Sequence, residues 1–465
     1  MKAAQSLVKN LGATILTYCV LTVAACSAPP SPPVHVPAPE YWPTAEWRTS
    51  TPESQGIDSR KLVDMLDGIR EHGIPIHSVQ VIRNGYVVLD AYFYPYNGHD
   101  THDVASVTKS VTSTLIGLAV EKGFIASVST PIVSLFPGRS IANRDAAKDA
   151  ITVEHLLTMQ PGLACEETPD EPTLREMRQK PDWVQFMLDR AMARRSGEKF
   201  VYCSPGMHLL SAALTKATRE TALDFARQNL FDPLGIQDAA WAADPQGNNF
   251  GWGDLHLHPL DMAKLGFLYL HEGRWEARQV LREEWVRAAT EAHARSFFRN
   301  PYGYGWWGFT GKRAGQYEAV GRGGQRITVI PKENVVVVFT GGGFEPGDVG
   351  DKLLQAIGPN QPLPANPEAV SQLAVAIGAA TKPPLPRGVR ALPETALHIS
   401  GKRYQLTAID LGLRTMELAF PSTTEGVLRV MFADGRMESG PIGLDAVPRI
   451  SAQGRFGLPV ALSGG

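Results

Sequence analysis

Apolar and polar positions divide the chain into readable stretches. Leu62, Met65, Leu66 and Ile69 recur at helical spacing behind a capping Asp58 or Ser59, and Gly73 stops the run. The stretch "HSVQVIRNGYVVLDAYFYP" then holds two β-rich runs joined by Asn84-Gly85, a pair that accepts the positive φ angles of a tight turn, which predicts an antiparallel hairpin. A helix is expected from about Ser106, with Val107, Val111, Leu115 and Leu118 as its apolar stripe and Gly123 at its end. From about Thr152 to Gly273 the pattern is mostly helical, in "VEHLLTM", "DWVQFMLDRAM", "GMHLLSAALTKAT" and "PLDMAKLGFLYLHEG". Strands return from Tyr302 in "YGYGWWGF" and in "RITVIPKENVVVVFT", two runs about a Pro331 to Asn334 turn, and "DVGDKLLQAIG" reads as a closing helix.

Segregated rather than alternating elements predict an α+β fold: an antiparallel sheet flanked by N- and C-terminal helices, with an inserted helical lobe. Its expected extent is 53–358. The proline-rich "PNQPLPANP" and "TKPPLPRG" bracket a short possible helix and mark 359–395 as a linker. Strand-like runs such as "TMELAF" and "VLRVMF" then predict a small β-rich module over 396–465.

At the N-terminus, Lys2 and Lys9 precede an apolar run from Leu11 that ends in Val23-Ala24-Ala25-Cys26, the layout of an export signal over 1–26. It resembles bacterial lipoprotein signals, which implies acylation at Cys26 and a membrane anchor facing the periplasm. Ser27 is not the aspartate that holds such proteins at many inner membranes, so the resemblance implies the outer membrane. "SAPPSPPVHVPAPE" favours extended backbone, and 27–52 is expected to be a tether.

Composition narrows the chemistry. The chain has 465 residues, 43% of them hydrophobic and 20% charged, with a formal charge of −2 and a pI near 6.6. It lacks the basic face that neutralises phosphates, so no nucleic-acid partner is expected. Of four cysteines, Cys19 and Cys26 fall in the signal, leaving Cys165 and Cys203 in the exported body. Spacing leaves a disulfide and two separate buried thiols equally open. There is no C-x-x-C and no H-E-x-x-H; His256-Leu257-His258 could offer two ligands on one strand face, but no third is evident, so neither metal nor cofactor is expected. Nothing in the sequence sets the oligomeric state.

S-x-x-K occurs three times, at Ser6, Ser106 and Ser196. Ser6 belongs to the signal, and Gly197 interrupts any helix after Ser196. Only Ser106 opens a helix directly after a hairpin, where backbone N–H groups and the helix dipole stabilise negative charge and Lys109 follows one turn later on the same face. A serine hydroxyl needs a base, and an ordinary lysine is already protonated near neutrality. Either Lys109 is made basic by burial, or it assists a tyrosine such as Tyr202 in Tyr202-Cys203-Ser204. Gly321-Arg322-Gly323-Gly324-Gln325 adds glycines that let backbone approach a ligand closely.

In this order the three segments resemble the class C β-lactamase and penicillin-recognising serine hydrolase family, including its esterase and 6-aminohexanoate-dimer hydrolase branches. "EHLLTMQPGL", "DPLGI", "PLDMAKLG" and "YGYGWW" resemble it too, over about Glu53 to Ile357. The resemblance implies Ser106 as nucleophile, Lys109 as its partner, Tyr202 as general base, and the backbone N–H groups of Ser106 and Gln325 as the oxyanion hole. Ser204, Arg322, Gly323 and Gly324 would meet the substrate. Two departures stand out: Ser204 replaces the asparagine of Y-x-N, and Gly323 supplies no hydroxyl in the third motif. The expected activity is therefore an acyl-enzyme hydrolysis of esters or small linear amides, against the alternatives of a β-lactamase or D-amino-acid peptidase, or a catalytically silent envelope-binding lipoprotein. An α/β-hydrolase is disfavoured, since no G-x-S-x-G elbow occurs.

Overall fold

The computed structural model describes residues 36–165, 171–296, 300–345, 347–407, 412–451 and 458–464. Ser6, Cys19 and Cys26 lie outside them. Helix α1, Ser59–Glu71, starts where the Asp58 carboxylate accepts the N–H groups of Arg60 and Lys61, bonds that the first turn cannot make internally. Strands β1 (Ile76–Arg83) and β2 (Tyr86–Tyr92) form the expected hairpin, with Asn84 at φ 53° and Gly85 at φ 84°. There follow β3 (His102–Asp103), α2 (Thr108–Glu121), α3 (Ser204–Thr218), β4 (Leu255–Leu257), α4 (Pro259–Leu270), β5 (Tyr317–Gly321), β6 (Gln325–Ile330), β7 (Val335–Gly341), α5 (Gly347–Ala356) and α6 (Pro367–Ala380).

The main sheet is antiparallel and eight-stranded, in the order β2-β1-β7-β6-β5, then the short strands Trp307–Gly308, Pro301–Tyr302 and Ala294–Arg295. β1 pairs β7 from Ser78 opposite Thr340 to Arg83 opposite Val335, so both ends of the domain meet mid-sheet. Leu62 and Leu66 of α1, Leu353 of α5 and Leu373 of α6 cover one face. Residues of α2, α3 and α4 fill the core on the other, and the described residues from Val36 onward form one compact unit.

The expected α+β order holds, but four stretches differ from their reading. Helix α2 is buried on every side from Thr108 to Ala119 instead of presenting one stripe. Its hydroxyls make this possible by bonding backbone: Ser110 Oγ donates to the Gly305 carbonyl at 2.7 Å and Thr112 Oγ1 to that of Gly251 at 3.0 Å. "YGYGWWGF" is not one strand, because the backbone at Gly305 (φ 79°) lies where a Cβ would come within 3.0 Å of the Lys109 carbonyl. Residues 36–52 are docked rather than tethered: Trp42 packs on Phe267 and Trp275, the Tyr41 hydroxyl donates to the Gly85 carbonyl at 2.6 Å, and Thr49 bridges Val87. Aromatic burial there outweighs the extended preference of the neighbouring prolines. Helix α6 adds Leu373, Ala376 and Ala380 to the core, leaving linker only after Ala380. Beyond it lies the small β-rich module, a four-stranded antiparallel sheet over Lys402–Gln405, Leu413–Ala419, Glu425–Phe432 and Met437–Gly443, with the pair Arg449–Ser451 and Val460–Leu462 beside it.

Candidate active site

Ser106 sits in a 3-10 turn, Ala105–Val107, that feeds directly into α2. Ala105 is held at φ 47°, a left-handed conformation that costs a non-glycine residue energy, and its N–H donates to the Asp103 carboxylate at 2.8 Å. The surrounding contacts thus fix the pitch of the turn that carries Ser106. On its other side the end of β5 approaches so closely that a Cβ on Gly321 would lie 2.5 Å from the Val104 carbonyl and 3.1 Å from the Ser106 nitrogen.

Lys109, one turn on, is 1% exposed. Its Nζ donates to Ser106 Oγ at 2.7 Å and to the Trp252 carbonyl at 3.1 Å, and it lies 4.7 Å from the centre of the Tyr202 ring. One buried ammonium therefore touches the serine, a backbone dipole and an aromatic face. Tyr202 is half-buried, with Trp307 6.1 Å away on its ring. Two core tyrosines are kept protonated: burial pushes Tyr302 far above its ordinary value, with a smaller push from Tyr202, and burial raises Tyr269 to about 12.

Cys165 and Cys203 are joined in a disulfide, which settles the alternative that spacing left open and anchors the residue between Tyr202 and Ser204. Ser204 was expected to face a substrate, but it is 0% exposed and its hydroxyl donates to Glu171 in a short bond, because it opens α3 inside the lobe. Gln325 faces Gly321 across the β5–β6 pair. Its side chain is committed to backbone, Nε2 donating to the Arg322 and Gly341 carbonyls at 2.9 and 2.7 Å and Oε1 accepting the Gly341 N–H at 2.9 Å. Arg322 is exposed at the turn. Gly323 and Gly324 hold φ angles of 85° and 100°, and a Cβ on Gly324 would strike the Phe344 ring at 2.2 Å.

The fold thus gathers Ser106, Lys109 and Tyr202, with Gln325 reached through Gly321, while Ser204 stands behind them and Arg322 at the rim. Sequence reasoning missed Asp103, Trp252 and Glu171. Trp252 acts through its carbonyl, which no side-chain pattern reports, although the glycines flanking it in "GWGD" were a signal of close backbone packing.

Comparison with known proteins identifies the family and the fold. The profile of the Beta-lactamase family matches residues 60–358, and the chain belongs to that family. It is 23% identical over 282 residues to the 6-aminohexanoate-dimer hydrolase of Paenarthrobacter ureafaciens, covering 56% of this chain and 70% of that one. Among solved structures it is similar to a family VIII carboxylesterase, at TM-score 0.55 and 13% identity over 67% of this chain and 98% of the other. It is also similar to a penicillin-binding protein homologue from Caulobacter crescentus, at TM-score 0.50 and 17% identity over 69% and 97% of the two chains. These structures share the β-lactamase/transpeptidase-like fold.

Proposed function

We propose that the protein is a serine hydrolase that forms an acyl-enzyme on Ser106 and releases it with water, acting on short-acyl esters or small linear amides. The observation that carries this reading is the buried Lys109 ammonium 2.7 Å from Ser106 Oγ on the fixed turn. In the proposed cycle the Tyr202 phenolate takes the Ser106 proton as Oγ attacks the carbonyl carbon. Lys109 stabilises the charge developing on both oxygens, and the Ser106 and Gln325 N–H groups receive the oxyanion. Tyr202 returns the proton to the leaving alcohol or amine. Water then attacks the acyl-enzyme with the same residues in reverse order.

Two features favour esters and linear amides over β-lactams. The Ser204 hydroxyl is buried against Glu171 rather than available to an acyl-amide group, and Gly323 has no hydroxyl for a carboxylate. The missing bond to the charged carboxylate is worth about 1.5–3 kcal/mol and the one to the neutral acyl-amide about 0.5–1.5 kcal/mol. The relatives named as a dimer hydrolase and a carboxylesterase are in keeping with this class. We place the enzyme, on the lipoprotein-like signal alone, at the outer membrane through acylated Cys26. Labelling by a fluorophosphonate probe, together with kcat/KM for p-nitrophenyl acetate and nitrocefin on one preparation, tests the activity. Ester turnover well above nitrocefin turnover is expected, and the reverse promotes the β-lactamase alternative. Membrane fractionation of Cys26→Ala identical to that of the unaltered protein rejects the anchor.

A further inference from the structure

In the sequence, His256-Leu257-His258 offers two metal ligands and no evident third. The structure separates them. His258 turns to Asp238, with Nε2 3.5 Å from its Oδ2, while His256 lies directly opposite Asp103 in the antiparallel β3–β4 pair. Asp254, held at φ 64° just before β4, brings its Oδ1 to 3.7 Å from His256 Nε2. One ligand atom from each of Asp103, Asp254 and His256 lies within 4.8 Å of the others.

We propose that Asp103, Asp254 and His256 form a binding site for a divalent cation of the zinc class, beneath the nucleophile turn. An imidazole with two carboxylates is a borderline-to-hard donor set of the kind that zinc accepts. Metal bonds of about 2.1 Å in a tetrahedron separate ligand atoms by about 3.4 Å, so the 3.7 Å spacing of His256 and Asp254 needs little adjustment. The Asp103 carboxylate already holds the Ala105 N–H, but two oxygens carry about four lone pairs, which leaves capacity for an ion.

The site has the depth and the access that a bound ion needs. His256 is 9% exposed, with its imidazole inside the cluster, and both aspartates are half-buried. Asp103 and His256 lie on the wall of a cavity of about 310 Å³, whose lining also includes Tyr96 and, from the C-terminal module, Ile450 and Val460. His102 is not a ligand in this arrangement: its Nδ1 donates to the Asp103 carbonyl at 2.7 Å, so its Nε2 accepts from His77 Nδ1 at 2.7 Å. A cation here ties together two segments that serve the reaction, Asp103 through Ala105 to Ser106, and Asp254 back to the Trp252 carbonyl on Lys109. Its role is to clamp, with no step of the hydrolysis passing through it.

The test uses the full chain stripped with a chelator and titrated with zinc by calorimetry, with bound metal counted by elemental analysis and the melting temperature read with and without zinc. The expected result is one zinc per chain and a melting temperature that rises with zinc, since a ligand of the folded state stabilises it. Asp254→Asn and His256→Gln, checked for native circular dichroism, should each weaken binding by roughly tenfold or more. His258→Gln should leave it unchanged. Absence of stoichiometric zinc binding by the unaltered chain overturns the proposal, whatever the variants do. So does zinc affinity that survives both Asp254→Asn and His256→Gln.

Discussion

Ser106 and Ser196 carry the same motif in one chain, and their surroundings have almost nothing in common. The Ser106 hydroxyl receives the Lys109 ammonium, which is packed under Tyr202 and held by a carbonyl from a distant segment. The Ser196 hydroxyl donates instead to the Pro161 carbonyl at 3.1 Å, Gly197 turns the chain away at φ 80°, and Lys199 is exposed. Spacing alone therefore carries little chemistry. What makes a lysine useful to a serine is a helix that holds both on one face and a core that leaves the ammonium few other partners.

The contrast breaks most sharply by exchanging the two serines. Ser106→Ala should lower hydrolysis and probe labelling by at least about four decades, while Ser196→Ala stays near the unaltered rate. Labelling retained in Ser106→Ala but lost in Ser196→Ala reverses the comparison. Next in size, Tyr202→Phe should cost about two to four decades in kcat with little change in melting temperature, because only the hydroxyl is removed. Turnover close to normal in that variant assigns the base role to Lys109.

Smaller effects sharpen the geometry. Gly321→Ala introduces a Cβ 2.5 Å from the Val104 carbonyl, so the turn that carries Ser106 must shift. A displacement on that scale should reduce kcat by about ten- to a hundredfold, and Gly197→Ala beside the other serine should not affect it. Unchanged kinetics in Gly321→Ala means that the turn has slack. Reducing the Cys165–Cys203 bond, which closes a 38-residue separation containing Ser196, should cost about 2–4 kcal/mol in chemical denaturation. No shift in the denaturation midpoint contradicts this.

A separate effect is on pH dependence. Burial, then the neighbouring His102, lowers His77 from 6.5 to about 3. Below about pH 6.5 the unfolded chain takes up a proton that the folded chain refuses until about pH 3. The contribution of this neutral histidine to stability is thus complete above pH 6.5 and is lost as pH falls towards 3. His77→Gln should flatten the decline of melting temperature between pH 6.5 and 4. A slope identical to that of the unaltered protein counts against a buried, neutral His77.

The parts legible in sequence were those governed by local rules. Asp58 caps α1 and Asn84-Gly85 turns the hairpin by chemistry confined to a few neighbouring residues. Ser106 and Lys109 could be paired because a helix fixes their spacing. The misread parts depend on distant partners: Trp42 finds its place only beside Phe267 and Trp275, and α2 is wholly buried because Gly251 and Gly305 offer carbonyls to its hydroxyls. The Cys165–Cys203 bond, the burial of Ser204 against Glu171 and the approach of Asp103 to His256 are likewise decided by segments far apart in the chain.

The pairing of β1 with β7 has a consequence for how the molecule comes into being. Strand β1 ends at Arg83 and its partner ends at Gly341, with the whole helical lobe between them. At about 5–20 residues per second, synthesis of the intervening chain takes roughly 13–50 s. Through that interval the β1–β2 hairpin has only α1 to pack on Val79, Val81 and Leu89, and α5 and α6 must follow before that face is closed. Such distant pairing makes for slow folding and prolonged exposure of strand edges. A nascent chain of this protein is therefore expected to depend on a chaperone that holds its N-terminal third until β7 arrives.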